Sequence, residues 1–286
     1  MKQRRIGNVD VSAIGLGGMP MSIQGRKDRA TSIATVHAAL DAGVTFIDTA
    51  DAYHLDADGV GHNESLIAEA LASYGGDTSG IFVATKGGLL HNDNGPWATN
   101  GHPDYLKAAA KASAARLGVE RIDLYQFHRP DPAVPYAESL GALRELFDEG
   151  LIRHIGISNA NVPQIREAVS VLGHSLVSVQ NQFSPAFRSS GVELEECVVH
   201  ELAFLPWSPL GGIRGAADLA DRFEVFGEVA AEYGVSPQQI TLAWELHLSH
   251  LVIPIPGASR PQSIVDSAQA ADLVLAPETV ARLSAA

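Results

Sequence analysis

Phe46-Ile47-Asp48-Thr49-Ala50-Asp51-Ala52-Tyr53 carries an apolar run straight into an Asp and a Tyr. The part Thr45–Asp48 reads as a short β-strand, preceded by Gly43 and followed by polar residues. Two later strings share this grammar: Ile81–Thr85 runs into Lys86, and Asp123–Phe127 runs into His128. Ile14–Gly17, Arg153–Ile157, Leu176–Gln180, Ala203–Trp207 and Leu251–Pro254 are apolar runs of the same kind, which makes eight. Helical patterns separate most of them. Ser32–Asp41 carries Ile33, Val36 and Leu40 on one face and meets Gly43, which can end it. Asp104–Leu117 is Ala-rich with Gly118 behind it, and Tyr136–Glu149 groups Leu140, Leu143 and Phe147 before Gly150. Strands alternating with helices imply a parallel sheet with right-handed crossovers, and eight such units close into a single (β/α)8 TIM barrel over residues 1–286.

The two ends depart from the rhythm. Arg4–Ser12 holds two short alternating segments around Gly7-Asn8, a hairpin signal placed to close the barrel bottom. Pro277–Ser284 reads as a final helix. The rival fold is a doubly wound nucleotide-binding sheet. Gly15-Leu16-Gly17-Gly18-Met19-Pro20 resembles its glycine fingerprint, but Pro20 stands where the third glycine belongs. A nicotinamide cofactor would therefore be bound without that domain.

The chain has 286 residues, 46% of them hydrophobic, enough for a large core. Its net charge of −13 argues against nucleic acid or an anionic membrane as a partner, though a local pocket can still be basic. Cys197 is the only cysteine, so no disulfide framework or cysteine metal cluster is expected, and its acidic neighbours mark it as inert packing. No apolar stretch of signal-peptide or membrane-spanning length is seen, and the expected location is the cytoplasm. The eleven histidines show no H-x-H or H-E-x-x-H spacing, so no metal is expected and a metal-dependent hydrolase is disfavoured.

Asp48, Tyr53, Lys86 and His128 form a chemically coherent set at strand ends, where barrels of this type build active sites. Hydride transfer to a carbonyl leaves an alkoxide that needs a proton from a positioned acid. Tyr53 can supply it once a neighbouring ammonium lowers its phenol pKa from about 10. Lys86 can be that ammonium, Asp48 can hold it charged, and His128 can donate a hydrogen bond to the carbonyl oxygen. Each residue alone also has an ordinary structural reading: turn aspartate, loop aromatic, ion-pair lysine, turn histidine. The combination is what points to chemistry.

These strings resemble the aldo-keto reductase family, and the resemblance runs over nearly the whole chain. Asp48–Tyr53 matches its aspartate–tyrosine motif, Thr85-Lys86 its lysine motif and Leu124–His128 its histidine motif. Gly61-His62-Asn63-Glu64 matches its turn into the second barrel helix and looks structural here. The resemblance implies a tetrad of Asp48, Tyr53, Lys86 and His128 that reduces aldehydes or ketones, with Tyr53 as general acid and NADPH as hydride donor. It places Gly18, Met19 and Asp48 beside the cofactor. Ser158, Asn159 and Gln180 would hold the nicotinamide carboxamide, and Trp207 would stack on its ring. Ser208, Pro209, Leu210 and Gly212 would lie along the pyrophosphate, where small residues permit close approach. Gly257, Ser259, Arg260 and Ser263 would take the adenosine end.

Each of these positions has a plainer alternative. Ser158 or Asn159 could cap the following helix, Trp207 could be a core tryptophan, and Arg260 could be a solvated arginine. The family often carries a Gln or Arg and then an Asn along its last barrel helix, where this chain has Ser263 and Ser267. Arg260 still favours NADP over NAD, since a guanidinium fits the 2′-phosphate. Met19 and Trp97, the latter in the long loop Gly87–His102, are candidate walls of an open pocket for a small carbonyl substrate. A second functional reading, also implied by the resemblance, is an NADP-binding regulatory subunit of the same fold.

Overall fold

The computed structural model describes residues 1–55, 59–91 and 97–286; the side chains of residues 213 and 214 also lie outside the description. The chain opens with the expected hairpin, β1 (Gln3–Ile6) paired antiparallel with β2 (Val9–Ser12). Gly7 turns it with φ of 56°, a left-handed conformation that suits glycine. The barrel strands follow: β3 (Leu16–Gly17), β4 (Phe46–Asp48), β5 (Phe82–Gly87), β8 (Ile122–Phe127), β9 (Ile152–Ser158), β10 (Leu176–Gln180) and β11 (Ala203–Phe204). They form one parallel sheet in the order β11-β10-β9-β8-β5-β4-β3. A small hairpin, β6 (Leu89–Leu90) with β7 (Ala98–Thr99), rises from the loop after β5. Around the sheet lie α1 (Arg29–Asp41), α2 (His62–Ser73), α3 (Pro103–Leu117), α4 (Tyr136–Asp148), α5 (Val162–Leu172) and α6 (Gly191–His200). The short turns α7 (Gly212–Gly215) and α8 (Leu219–Arg222) precede α9 (Glu224–Tyr233), α10 (Pro237–Leu248), α11 (Pro261–Gln269) and α12 (Pro277–Ala285).

The expected eighth strand, Leu251–Pro254, closes the (β/α)8 barrel without becoming a regular strand. Ile253 and Ile255 donate their N–H groups to Phe204 O (2.9 Å) and Pro206 O (3.2 Å) on one side. On the other side Pro254 O and Pro256 O accept from Gly15 N (2.9 Å) and Gly17 N (3.0 Å). The N–H groups that would complete the second ladder belong to Pro254 and Pro256 and do not exist. The segment therefore joins both sheet edges through isolated bridges, Phe204 with Val252 and Gly17 with Gly257.

Period-two alternation decides which side chains enter the barrel. Phe46, Phe82, Ala84, Leu124, Val177, Ala203, Leu205, Ile253 and Ile255 pack into one interior cluster with Ile6 and Val11 of the hairpin. The hairpin thus plugs the end where the strands begin. Ile47 instead packs outward against Val36, Ala39, Leu66 and Ile67 of α1 and α2. Tyr125 and Phe127 pack outward with Leu106, Leu140 and Leu143. The same alternation puts Asp48, Lys86 and Gln126 on the interior face, one step above the apolar layer.

Candidate active site

The tetrad converges at the C-terminal mouth of the barrel. Lys86 Nζ is fully buried and donates to Asp48 Oδ2 at 2.6 Å, Thr49 O at 2.8 Å and the Tyr53 hydroxyl at 3.0 Å. Asp48 Oδ1 accepts from Gln180 Nε2 at 2.8 Å and Gln126 Nε2 at 3.2 Å. The carboxylate is thus fixed by one cation and two amides, and the three donors of the ammonium are all used. The His128 ring stands edge-on to Tyr53, 5.8 Å between centroids.

Burial pushes Lys86 down, but Asp48 and Tyr53 outweigh it and hold the ammonium above its ordinary pKa. For Tyr53 the expectation of a net lowering is corrected. Burial raises the phenol, and although Lys86 pulls the other way, the shift is upward. In the protein alone Tyr53 therefore stays protonated through the neutral range. His128 is driven well below the ordinary histidine value by burial and by Lys86 and Arg129. It is a neutral imidazole, with one ring N–H to give. Its Nδ1 is buried and has no hydrogen-bond partner in the protein.

Three side chains support the tetrad: Gln126, which the sequence does not single out, and Asn63 and Glu64, whose string the sequence marks as structural without showing what they hold. Gln126 was read only as part of the histidine string, yet it holds Asp48, and Gly156 makes room for it: a Cβ there would come within 2.8 Å of Gln126 Cγ. Asn63 is fully buried, accepts from Thr49 Oγ1 at 2.6 Å and donates to Gly18 O at 2.9 Å and Ser22 Oγ at 2.7 Å. It ties together the ends of β3 and β4 and the start of α2, and Thr49 in turn presents its carbonyl to Lys86. Glu64 accepts from Thr85 Oγ1 and from Arg116 Nε, each at 2.5 Å. Arg116 lies where a Cβ on Gly61 would stand, and Gly61 has φ of 78°. The Gly61–Glu64 string is thus the structural element it was read to be. Asn63→Ala should leave several buried polar groups unpaired, at about 1–3 kcal/mol each. A Tm drop of about 4 °C or more is expected in a thermal melt; an unchanged Tm would show that the strand ends hold without it.

The positions assigned to a cofactor lie at or just after the C-terminal ends of the barrel strands and of the eighth segment. Ser158 Oγ donates to Gln180 O at 2.8 Å, and Asn159 Nδ2 donates to His128 O at 3.0 Å and Ser158 Oγ at 2.9 Å. The donors of this trio are spent within the protein, those of Gln180 Nε2 on Asp48 Oδ1 and Gln126 Oε1, and Gln180 retains Oε1 to accept a ligand N–H. Asn159 (φ 57°) and Ser208 (φ 54°) are left-handed non-glycine residues at strand ends, a conformation that costs free energy and clusters at functional sites. Trp207 is half-buried at the end of the β11 segment, and its Nε1 has no partner in the protein. Ser208, Pro209 and Leu210 lead into Gly211 and Gly212, both with positive φ; a Cβ on Gly212 would meet nothing nearer than Ser208 Oγ at 4.0 Å. Gly18 leaves room for Asn63, and Met19 is half-buried on the turn Met19–Met21. Gly257 is exposed, Ser259 is half-buried, and Arg260 is exposed at the N-cap of α11. Ser263 is half-buried in its first turn, whereas Ser267 is buried. Trp97 is 44% exposed and stacks on His91, 4.4 Å between centroids. His91 Nδ1 is 2.8 Å from His54 O, next to Tyr53. Residues 92–96 of this loop lie outside the described residues.

Among the described residues no helix is long and apolar enough to cross a membrane, and no cluster of three or more His, Cys, Asp or Glu could hold a metal ion. Burial and the nearby Glu193 and Glu196 push the buried Cys197 thiol far up, as fits a packing residue.

A barrel with a buried Asp–Lys–Tyr triad and a neutral histidine at its mouth is the frame of a barrel oxidoreductase, and comparisons give it a family. The model of the Aldo/keto reductase family matches residues 13–286. An uncharacterized oxidoreductase of Schizosaccharomyces pombe is 36% identical over 283 residues, covering 98% of this chain and 88% of that protein. A 6-dehydroglucose reductase of Novosphingobium aromaticivorans is 34% identical over 278 residues, covering 93% and 89%. Among solved structures, a thermostable aldo-keto reductase in complex with the inhibitor epalrestat superposes with a TM-score of 0.84 at 27% identity, covering 100% and 99% of the two chains. A glycerol dehydrogenase from Gluconobacter oxydans gives 0.83 at 26%, covering 99% and 94%. The chain belongs to the aldo-keto reductase family and is an oxidoreductase. Members of that family generally use nicotinamide cofactors.

Proposed function

We propose that this protein is an NADPH-dependent reductase of aldehydes or ketones, and that its substrates are hydroxylated carbonyls of the sugar and polyol type. The observation that carries the reaction is the Asp48–Lys86–Tyr53 chain, buried and fully bonded, with a protonated phenol at its outer end. The substrate class comes from the names of the 6-dehydroglucose reductase and the glycerol dehydrogenase.

The mouth fits a nicotinamide dinucleotide. The unpartnered Trp207 Nε1, the Gln180 Oε1, the open Gly211-Gly212 turn and the exposed Arg260 offer an aromatic face, an amide acceptor, a backbone cradle and a cation. When bound, the reduced cofactor supplies hydride to the carbonyl carbon. The chain's own work is the proton. Lys86 fixes the Tyr53 hydroxyl, which gives its proton to the carbonyl oxygen. His128, neutral, orients that oxygen by a hydrogen bond. Asp48 keeps Lys86 charged, and Gln126 and Gln180 keep Asp48 aimed.

Purified protein should consume NADPH with glyceraldehyde or an aldehydo-sugar and bind NADPH with quenching of tryptophan fluorescence. Binding without turnover over a broad carbonyl panel would refute the enzyme reading. Cofactor choice rests on Arg260. A charged hydrogen bond to a 2′-phosphate is worth about 1.5–3 kcal/mol, so Arg260→Ala should weaken NADPH about ten-fold or more and leave NADH nearly unchanged. Equal losses for both would assign Arg260 to the fold or the pyrophosphate.

A further inference from the structure

The end of the barrel opposite the mouth holds a cavity of about 870 Å³, a volume ordinary for a small-molecule site. Its walls come from the hairpin turn at Gly7–Val9, the starts of β9 and β10 and the ends of α4, α5 and α6. His154 stands there near the start of β9, four positions before Ser158, so the cavity lies about 13 Å along the strand from the catalytic mouth. The floor is apolar. Val9, Phe147 and Val169 are half-buried in it, and Leu176 and Val177 are buried. Gly7 lets the hairpin turn close on this floor: a Cβ there would come within 2.8 Å of Val177 Cγ1 and 3.1 Å of His154 Cδ2. His154 is 7% exposed, and its ring nitrogens lie 3.0 Å from Asp123 O and 2.8 Å from Asn8 Oδ1. Burial holds it below the ordinary histidine value, and the nearby Arg153 and Arg121 add to the effect. It is a neutral part of the wall with both nitrogens used.

The charge on the rim is unbalanced. Two arginines, Arg121 and Arg153, line the cavity with one carboxylate, Glu201, and all three are exposed. Arg153 is answered by Asp123 at 3.4 Å, whereas Arg121 has no acid within ion-pair distance among the described residues, and Glu201 pairs with neither arginine. Three helices end around the cavity, and helix C-termini are partially negative. Their terminal carbonyls are already answered elsewhere. Phe147 O accepts from Gly150 N at 3.0 Å, Leu172 O from Ser175 Oγ at 2.7 Å and Cys197 O from Leu202 N at 3.0 Å. The Arg121 guanidinium is therefore not spent on them, and its fork of donors stands beside an apolar floor. We propose that this cavity binds a small amphipathic anion, a carboxylate or sulfonate on an aromatic or branched aliphatic body, in a site separate from the catalytic mouth. The acid group meets Arg121, with Arg153 as a second donor, and the apolar body covers Val9, Phe147 and Val169. A polyphosphate fits less well because only one guanidinium is free of an acid, and a plain hydrocarbon because the rim is charged. The assignment does not depend on the reductase reading.

The test uses 8-anilinonaphthalene-1-sulfonate, an anion on an aromatic body whose fluorescence rises in an apolar site. Titrated into the whole protein it should bind one-to-one, and saturating NADP⁺ should not displace it. Arg121→Gln should weaken the probe about three-fold or more, the scale of one exposed ion pair. Glu201→Gln should tighten it about two-fold, because the change removes the one anion on the rim that repels the sulfonate. Both side chains are exposed, so neither change should cost the fold much, and a thermal melt of each variant checks this. Shifts of opposite sign in the two variants are a pattern that general adsorption to apolar surface cannot produce. A titration unmoved by both changes, or moved the same way by both, overturns the proposal. Displacement of the probe by NADP⁺ would place it at the mouth and overturns the proposal too, as does an absence of binding.

Discussion

Tyr53→Phe should abolish most carbonyl reduction while leaving a folded protein that still binds NADPH. The substitution keeps the ring and its edge-on packing against His128 at 5.8 Å. It removes one acceptor from Lys86, which retains Asp48 Oδ2 at 2.6 Å and Thr49 O at 2.8 Å. The cost to the fold is that of a single hydrogen bond, about 1 kcal/mol. The cost to turnover is that of a general acid, roughly 10²–10⁴-fold in kcat. In the wild type the raised phenol pKa implies a reduction rate that is insensitive to Tyr53 ionisation through the neutral range, with loss only above the ordinary phenol value of 10.0. Single-turnover rates with saturating NADPH, beside a fluorescence titration of the same variant, make the measurement. A variant with near wild-type kcat would end the assignment of Tyr53 as the acid.

What the sequence disclosed and what it withheld divide along physical lines. Strand interiors were legible because an apolar run facing the barrel and its helices leaves a composition signal, and Leu176–Gln180 matches its observed strand end to end. Helix starts were less legible because caps lie outside the apolar pattern. The apolar pattern of α1 starts at Ser32, yet the helix begins at Arg29 behind Asp28, whose side chain accepts from Thr31 N. The eighth strand misled for a local reason: Pro254 and Pro256 allow extended backbone but remove two donors. Within the site, Asp48, Tyr53, Lys86 and His128 could be named because each stands at or just past a strand end. Gln126 and Asn63 could not, since a buried amide announces itself only through partners distant in sequence. Gln126 reaches back 78 positions to Asp48, and Asn63 reaches 45 positions to Gly18. The direction of the Tyr53 shift was also beyond the sequence, because it depends on how deeply the phenol is buried relative to the pull of Lys86.

Lys86→Met should damage both the chemistry and the fold, and the two losses should come apart in a double variant. The substitution removes the only cation among the described residues within hydrogen-bond reach of Asp48, which is 2% exposed. The amides of Gln126 and Gln180 both address Oδ1, so Oδ2 is left facing an apolar stem. An uncompensated buried carboxylate costs about 3–5 kcal/mol, which corresponds to a Tm drop of roughly 6 °C or more for a chain of this size. Because Lys86 lies above its ordinary value of 10.5, the pair's contribution is complete below that pH and is lost only as pH rises through the higher folded value. The deficit of the variant should therefore be present across the whole neutral range. Asp48→Asn in the Lys86→Met background removes the orphaned charge while keeping the shape of the side chain. Replacing both members of a buried ion pair by neutral groups is often close to neutral, so most of the lost Tm should return. Reduction should not return, because Tyr53 then lacks the ammonium that fixes its hydroxyl at 3.0 Å. Additive Tm losses in the double variant would show that Lys86 supports the fold through contacts other than Asp48. Recovered turnover would show that its charge is dispensable to the proton donor.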